Sequence, residues 1–473
     1  MTVTLHSRDD FTFENFRRVA RGREPVKIGE GALSRMQDAR EGFMRLLDSD
    51  RTQYIYGVTS NFGPRAHLAV PPDKQREHAR RRSTSSGRGF GGGSLDESVV
   101  RGIVFARLVN FVAGASKARP VLAERVAALL DGPMAPLPLD GQVGAGEVLP
   151  MAHVLRDLDR NDLEEGEGNA LSNGAPCAAA LVCDVALDTP GRLRNAECVF
   201  ALSVEAFRAP LGAYDEALDD LWGDEDEAAA LRSLRALLAG ASTDRLFHQA
   251  PVSYRILGRL LGEARRAGRA VEKVARVSLR SVTDNPVYVM ADAEHPLGRV
   301  LSTGGYHNGA AYPALNALSA AWADLALLAE RQATALCTPD TSGLPLAARV
   351  GFSWVMSGFV EEARAAASPT LLPASVNDSQ DDISSPTFNA YRQEQRAAES
   401  LDEALAALAA EASQALFVTG RAPAPELRDF LEHVRSIFPP VEGDSRRELG
   451  EEAGRLAESF ASVASAASAE GAR

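Results

Sequence analysis

At 473 residues, with a net charge of −13 and a pI near 5.3, the chain is long enough to bury a large core and too acidic to suit nucleic acid or an anionic membrane as partner. Its four cysteines, Cys177, Cys183, Cys198 and Cys337, show no C-x-x-C spacing and no histidine at metal-ligand distance, so reduced, buried thiols in a cytoplasmic protein and no metal site are expected. Length alone suggests two or three domains, a rule that single elongated helical bodies break.

Met1 to Asp10 contains no apolar leader segment, and no run of 18 uninterrupted apolar residues follows, so neither secretion nor a membrane span is expected. The basic run Arg76 to Arg82 reads as a solvated helix end or loop. Gly87 to Gly93 is a flexible loop by composition; no strand precedes it and no G-K-[ST] ends it, which argues against a phosphate cradle. Val99, Ile103, Val104, Leu108 and Phe111 fall on one helical stripe, with Asp96 and Glu97 at the end where the helix dipole favours acids. Val121 to Leu130, Asn316 to Cys337 and Glu399 to Phe417 show the same periodicity. The acidic patch Asp219, Asp220, Asp224 to Glu227 lacks the regular spacing of a calcium loop and reads as a surface turn between helices. Ala457 to Ala472 is an Ala- and Ser-rich helical or frayed tail. There are no internal repeats, and the chain is expected to be mainly α.

The motifs carry more. Tyr56-Gly57-Val58-Thr59-Ser60-Asn61-Phe62-Gly63 is similar to Y-G-V-N-T-G-F-G of the aromatic amino acid ammonia-lyases, the histidine and phenylalanine enzymes. Gly141-Gln142-Val143-Gly144-Ala145-Gly146-Glu147-Val148-Leu149-Pro150-Met151-Ala152-His153 resembles their G-S-V-G-A-S-G-D-L-A-P-L-A-H. Asn169 to Gly174 resembles A-L-I-N-G, Gln249 to Arg255 resembles Q-D-x-Y-S-x-R, and Ser281 to Pro286 matches S-x-T-D-N-P. Gly304-Gly305-Tyr306-His307 and Gln380-Asp381-Asp382 resemble G-N-F-H and Q-E-D. All stand in family order, and such collinearity is far more specific than any single motif.

The resemblance implies a mainly α fold with an N-terminal globular part, here residues 1–200, holding the Tyr loop and the 141–153 loop. Residues 201–473 would form a long central and C-terminal helical bundle. It further implies a homotetramer in which each active site draws on three subunits, bringing Tyr56, Arg255 and Asp381 together around a small-molecule substrate. By the same resemblance Tyr56 is the catalytic base, and Arg255 holds a carboxylate through two parallel hydrogen bonds, as a planar guanidinium can. Packing for Tyr56 and a surface ion pair for Arg255 are the plainer alternatives. An ordinary tyrosine titrates near 10, so positive charge or hydrogen bonding must lower it for that role.

The departures concern the chemistry. In the family, Ala-Ser-Gly cyclises with loss of water to give a methylidene electrophile, the MIO group, which captures the substrate so that ammonia can leave. Here Ala145 runs straight into Gly146, and no Ser, Thr or Cys lies between Ser116 and Ser172. No MIO, and no other cofactor, is therefore expected. Glu147 follows the deletion, either as a new acid or base or as a longer homologue of the loop's Asp. Asn173 and Gln249 match positions that bind the cofactor carbonyl or the substrate carboxylate, or here simply satisfy backbone groups. The family Tyr of Y-S-x-R is Val252, with Tyr254 two residues on as a conceivable replacement. The Asn of G-N-F-H is Gly305, beside Tyr306. The substrate-selecting pair falls at Ser83-Thr84, so the imidazole-binding His is absent and a histidine substrate is not expected.

Losing an electrophile that acts in the transition state costs many orders of magnitude, each about 1.4 kcal/mol being a factor of ten. The groups that remain suit proton movement on a carbonyl-activated substrate: elimination of a better leaving group than ammonia, conjugate addition or cyclisation, or isomerisation. Tyr56 would be the base, Arg255 the anion clamp, Asp381 or Glu147 the acid, with Thr84, Asn173, Gln249, Tyr254 and Tyr306 around the substrate. A non-catalytic binding or partner subunit is the alternative.

Overall fold

The computed structural model describes residues 2–81, 93–345, 349–374, 380–443 and 447–467. Thr84, most of the glycine-rich stretch, Arg82 and the end of the C-terminal tail lie outside them. The chain is mainly α, and the described strands form two two-stranded sheets.

Contacts divide the chain into two units, neither a continuous half. The first comprises Met1–Val185, Glu272–Pro313 and Thr370–Arg392; the second comprises Ala186–Val271, Ala314–Pro369 and Gln393–Arg473. The first change of unit thus falls within the helix Pro176–Phe207, ahead of the residue-200 boundary expected from sequence, and the chain returns to the first unit twice.

In the first unit β1 (Val3–Leu5) pairs in parallel with β2 (Val26–Ile28), burying Val3 and Leu5 on the face where period-two alternation places them. The intervening helix Phe13–Ala20 starts at Thr12, whose hydroxyl accepts from the Asn15 amide at 3.2 Å, and buries Phe16, Val19 and Ala20. Helix Glu30–Ser49 buries Ala32, Met36, Ala39, Phe43, Leu46 and Leu47, a three-and-four spacing that gives one apolar face. That face meets Ile55, Val58 and Tyr288, the last from β3 (Val287–Val289), which pairs antiparallel with β4 (Arg299–Leu301).

Helix Glu97–Val112 departs from the single stripe expected for it: every residue from Val99 to Val112 is buried. A helix covered on all sides buries its polar residues too, and Arg101, Arg107 and Asn110 are accordingly inside. Val121 to Leu130 is observed as helix Pro120–Ala128 followed by a 3-10 turn to Asp131.

The second unit is a set of helices that includes Glu225–Leu237, Ser353–Ala366, Arg428–Ile437 and the greater parts of Ala311–Cys337 and Thr387–Val418. Small residues let the last of these pack closely, with Ala404, Ala407, Ala409, Ala410 and Ala412 buried among Leu405, Leu408 and Leu416. Its buried charges are met: Arg192 holds Asp402 at 3.1 Å, and the Trp322 indole donates to Glu394 at 2.9 Å. The acidic patch is no cation site. Asp224 caps Glu225–Leu237, and arginines pair with Asp219, Asp224, Asp226 and Glu227. Among the described residues no group of three His, Cys, Asp or Glu side chains is placed to hold a metal. One helical run, Glu167–Phe207, is apolar enough to cross a membrane, but 94% of its apolar window is buried in the protein, as for a core helix.

Candidate active site

The first unit assembles the Tyr loop, the 141–147 loop, the Asn169–Gly174 segment, Tyr306, His307 and Asp381. Tyr56 is half-buried, and its hydroxyl accepts from the Gly63 amide at 3.2 Å. The Asp381 carboxylate reaches the same glycine: a side-chain carbon on Gly63 would lie 3.0 Å from Asp381 Oδ2. Hydroxyl and carboxylate therefore converge on one backbone position that only glycine leaves open. The Gln380 side chain also hydrogen-bonds Tyr56, and Tyr306 acts on it electrostatically. The Tyr56 ring meets Phe62 edge-on at 6.0 Å, and Phe62 stacks on His78 at 4.8 Å. Gly57 permits this, since its φ is +69° and a Cβ there would strike the Phe62 ring at 2.4 Å.

This environment does not activate Tyr56. Burial first, then the nearby Asp381 and Tyr306, push its phenol above the ordinary tyrosine value, against the opposing hydrogen bonds from Gly63 and Gln380. The positive charge that a phenolate base requires is not among the groups acting on Tyr56 in the described residues. His78 was not singled out from sequence. It is 4% exposed with neither ring nitrogen hydrogen-bonded, and burial lowers its pKa, so it is a neutral imidazole beneath Phe62.

The 141–147 loop is tied down from Gly144 onward. The Gly144 carbonyl accepts from Ser385 N at 3.3 Å and the Gly146 carbonyl from Gly174 N at 3.1 Å. Gly144, Gly146 and Glu147 all have positive φ, 122°, 68° and 52°. Glu147 then turns inward, and its two carboxylate oxygens accept from Cys177 N at 2.5 Å and Ala178 N at 2.8 Å. These are orphan amides in the first turn of Pro176–Phe207, so Glu147 caps that helix. Burial pushes its carboxyl up to about 7 despite the helix amides and Arg107. Of the two readings left open by sequence, the geometry supports the capping homologue of the loop's Asp, since both oxygens are occupied and away from solvent.

Ala145 adjoins Gly146 with no dehydratable side chain between them, and a side-chain carbon on Gly146 would lie 3.0 Å from Asn173 Nδ2. Asn173 itself is 8% exposed, and its Oδ1 lacks a hydrogen-bond partner. Its backbone carbonyl accepts from Arg107 at 2.6 Å, and Arg107 also pairs with Asp284 at 2.7 Å, both wholly inside. Asn169 donates to the Asn285 carbonyl at 2.6 Å, and Lys117 donates to that of Pro286. Burial pushes Lys117 down to about 8. This buried polar layer, with Arg107 and Lys117 at its centre, joins the Asn169–Gly174 segment to Ser281–Pro286. Sequence gave no sign of it, because its two cations sit in stretches that read as ordinary helix and loop.

Three expected site residues belong to the second unit. Gln249 and Arg255 are exposed; Arg255 Nε donates to Ala250 O at 3.0 Å, and Arg255 forms no ion pair among the described residues. Tyr254 lies in the core. It is fully buried, stacked on Phe207 at 4.5 Å with its hydroxyl between Ser203 Oγ and the Gln332 carbonyl, so it is a core residue and no substitute for the family Tyr. Val252, at the family Tyr's place, is 55% exposed.

Residues 11–161 and 155–436 match the sequence profile of the aromatic amino acid lyases. The chain belongs to the aromatic amino acid lyase family. This lyase-family chain is 28% identical over 381 residues to a histidine ammonia-lyase of Geobacillus thermodenitrificans, covering 73% of it and 72% of that enzyme. It is 27% identical over 442 residues to the histidine ammonia-lyase of Paracidovorax citrulli, 83% of each chain. Among solved structures, the ergothioneine-degrading enzyme ergothionase of Treponema denticola superposes with a TM-score of 0.88 at 16% identity, over 98% of this chain and 99% of that one. The tyrosine aminomutase of Streptomyces globisporus superposes with a TM-score of 0.84 at 24% identity, over 97% and 96%. At such identities these structures establish the shared fold.

Proposed function

We propose that this member of the lyase family performs acid–base chemistry without an MIO group on a small carbonyl- or carboxylate-bearing substrate. Elimination of a leaving group better than ammonia is the reaction the site suits best, with conjugate addition, cyclisation and isomerisation drawing on the same groups. The observation that carries the reading is the convergence of the Tyr56 hydroxyl and the Asp381 carboxylate on Gly63, in the same unit as a loop in which Ala145 adjoins Gly146. The solved relatives support lyase-type chemistry on this fold, since one degrades ergothioneine and another is a tyrosine aminomutase.

The electrophile is what lets ammonia depart. Without it, a substrate must supply its own leaving ability, and the protein needs only to take one proton, hold a carboxylate and exclude water. Tyr56 exchanges the proton at its phenolic oxygen. Asp381 shares the Gly63 position with it and sets the local charge. Arg255, exposed and without an ion pair among the described residues, has its guanidinium available for a carboxylate. Gln249, Asn173, Tyr306 and Thr84 complete the substrate contacts in this reading, and a homotetramer brings them to one place.

The MIO-independence is tested by the mass of the peptide spanning Gly141 to His153 together with turnover after cyanide treatment, which blocks electrophilic methylidenes. The expected results are the unmodified peptide mass and undiminished turnover. A peptide lighter by two waters, or inactivation by cyanide, contradicts the reading.

A further inference from the structure

Helix Thr387–Val418 ends in a turn at Gly420, whose φ is +64°, and the chain leads on into helix Arg428–Ile437, both within the second unit from Gln393 onward. The turn and the second helix flank a groove of about 360 Å³ that shares no residue with the Tyr56 site or with Gln249 and Arg255. Arg428, Leu431, Glu432 and Arg435 line it at the i, i+3, i+4, i+7 spacing of a single helix face. Leu416, Phe417 and Arg421 line it from the turn. Leu416 and Leu431 are buried and Phe417 is 40% exposed, so the lining is apolar between the charges.

None of the three arginines forms an ion pair among the described residues. Arg435 donates from Nε to Ser413 Oγ at 3.2 Å and from Nη2 to the Ser413 carbonyl at 3.3 Å, both neutral acceptors. Arg421 donates to the backbone carbonyls of Glu205 and Asp244 at 2.9 and 3.5 Å, while the carboxylates of those two residues are held by Arg245 and Arg208. Burial lowers the pKa of both arginines. Half-buried cations held by neutral oxygens lack the counter-charge that burying an ion calls for. Glu432 is the one acid in the lining, and three arginines against it leave a formal charge of +2.

We propose that this groove binds a phosphate monoester of a small molecule, its head held by Arg421, Arg428 and Arg435 and its body lying against Leu416, Phe417 and Leu431. A planar guanidinium matches two phosphate oxygens at once, and a monoester carries about −1.5 to −2 near neutral pH, the complement of the groove's charge. The volume falls within the range of about 300–1,000 Å³ usual for small-molecule sites. A net charge of −13 over the whole chain repels a long polyanion such as nucleic acid and leaves a short one as the ligand of a local basic groove.

The test is calorimetric titration of the full chain with phenyl phosphate in a phosphate-free buffer, with sodium sulfate and sodium benzoate at equal ionic strength as comparators. Saturable binding at one site per chain is expected, tighter than sulfate, which has no apolar body, and tighter than benzoate, which has a single charge. Arg435→Met should weaken it about tenfold or more, as the loss of a charge-assisted hydrogen bond does. Arg428 is exposed, so Arg428→Glu spares the packing and should weaken binding in the same way. Arg255→Leu should keep the parent's affinity, which places the ligand outside the lyase site. The proposal is overturned by absence of saturable binding, by equal affinity for sulfate, which marks an adventitious ion only, by undiminished affinity in Arg428→Glu, or by loss of binding in Arg255→Leu.

Discussion

At the scale of residues, Glu147 shows how one side chain decides between readings. Its carboxyl is pushed up to about 7 by burial. A folded value above the ordinary carboxylate one means that the native state keeps a proton the unfolded chain has released. Stability therefore falls as pH rises from about 4.5 to about 7 and levels beyond it, each unit of displacement being worth about 1.4 kcal/mol. Glu394, also buried and pushed up to about 7, contributes in the same direction. Glu147→Gln keeps an acceptor and removes the ionisation, so denaturant unfolding at several pH values should show a flatter decline in the variant, with a Glu394 component remaining. An unchanged slope contradicts the assignment. Sequence left Glu147 divided between catalyst and loop residue because its partners are two backbone amides thirty residues away, which no side-chain pattern reveals. Tyr254 is the converse case. Its neighbourhood in sequence suggested a replacement for the missing family Tyr, while helical periodicity turns its ring into the core.

At the scale of elements, the site depends on how the Pro176–Phe207 helix begins. Glu147, Gly146 and Gly174 together fix that start, so the capping contact also positions Asn173 against the loop. Glu147→Ala leaves buried first-turn amides unpaired and should cost about 1–3 kcal/mol in denaturant unfolding. A loss below a few tenths would mean that the loop does not cap the helix. Long periodic segments were legible in advance, since Asn316 to Cys337 and Glu399 to Phe417 lie within the helices Ala311–Cys337 and Thr387–Val418. Glu97–Val112 was legible as a helix but not as a wholly buried one, because a stripe that satisfies one face says nothing about what covers the others. Its Arg107 anchors the polar layer beneath Asn173, and Arg107→Met should destabilise by several kcal/mol, as Asp284 is left buried and unpaired.

At the scale of the whole molecule, family and fold were legible because seven motifs recur in order over most of the chain, and the matched profile spans residues 11–161 and 155–436. The division into units was not, since a chain that leaves a unit and returns twice gives no local sign of doing so. We expect light scattering to give a homotetramer; a stable monomer would contradict the shared site proposed for Arg255 and Gln249. The central claim is that Tyr56 moves a substrate proton in a protein without the electrophile of its family. It is tested most directly by deuterium uptake from heavy water into β-substituted and α,β-unsaturated carboxylates, comparing the parent with Tyr56→Phe. The account predicts exchange by the parent, and a fall of at least about a hundredfold in the variant at unchanged ligand affinity. Exchange at the parent's rate in Tyr56→Phe, or none by the parent with any compound, would contradict it and leave a binding subunit on a lyase fold.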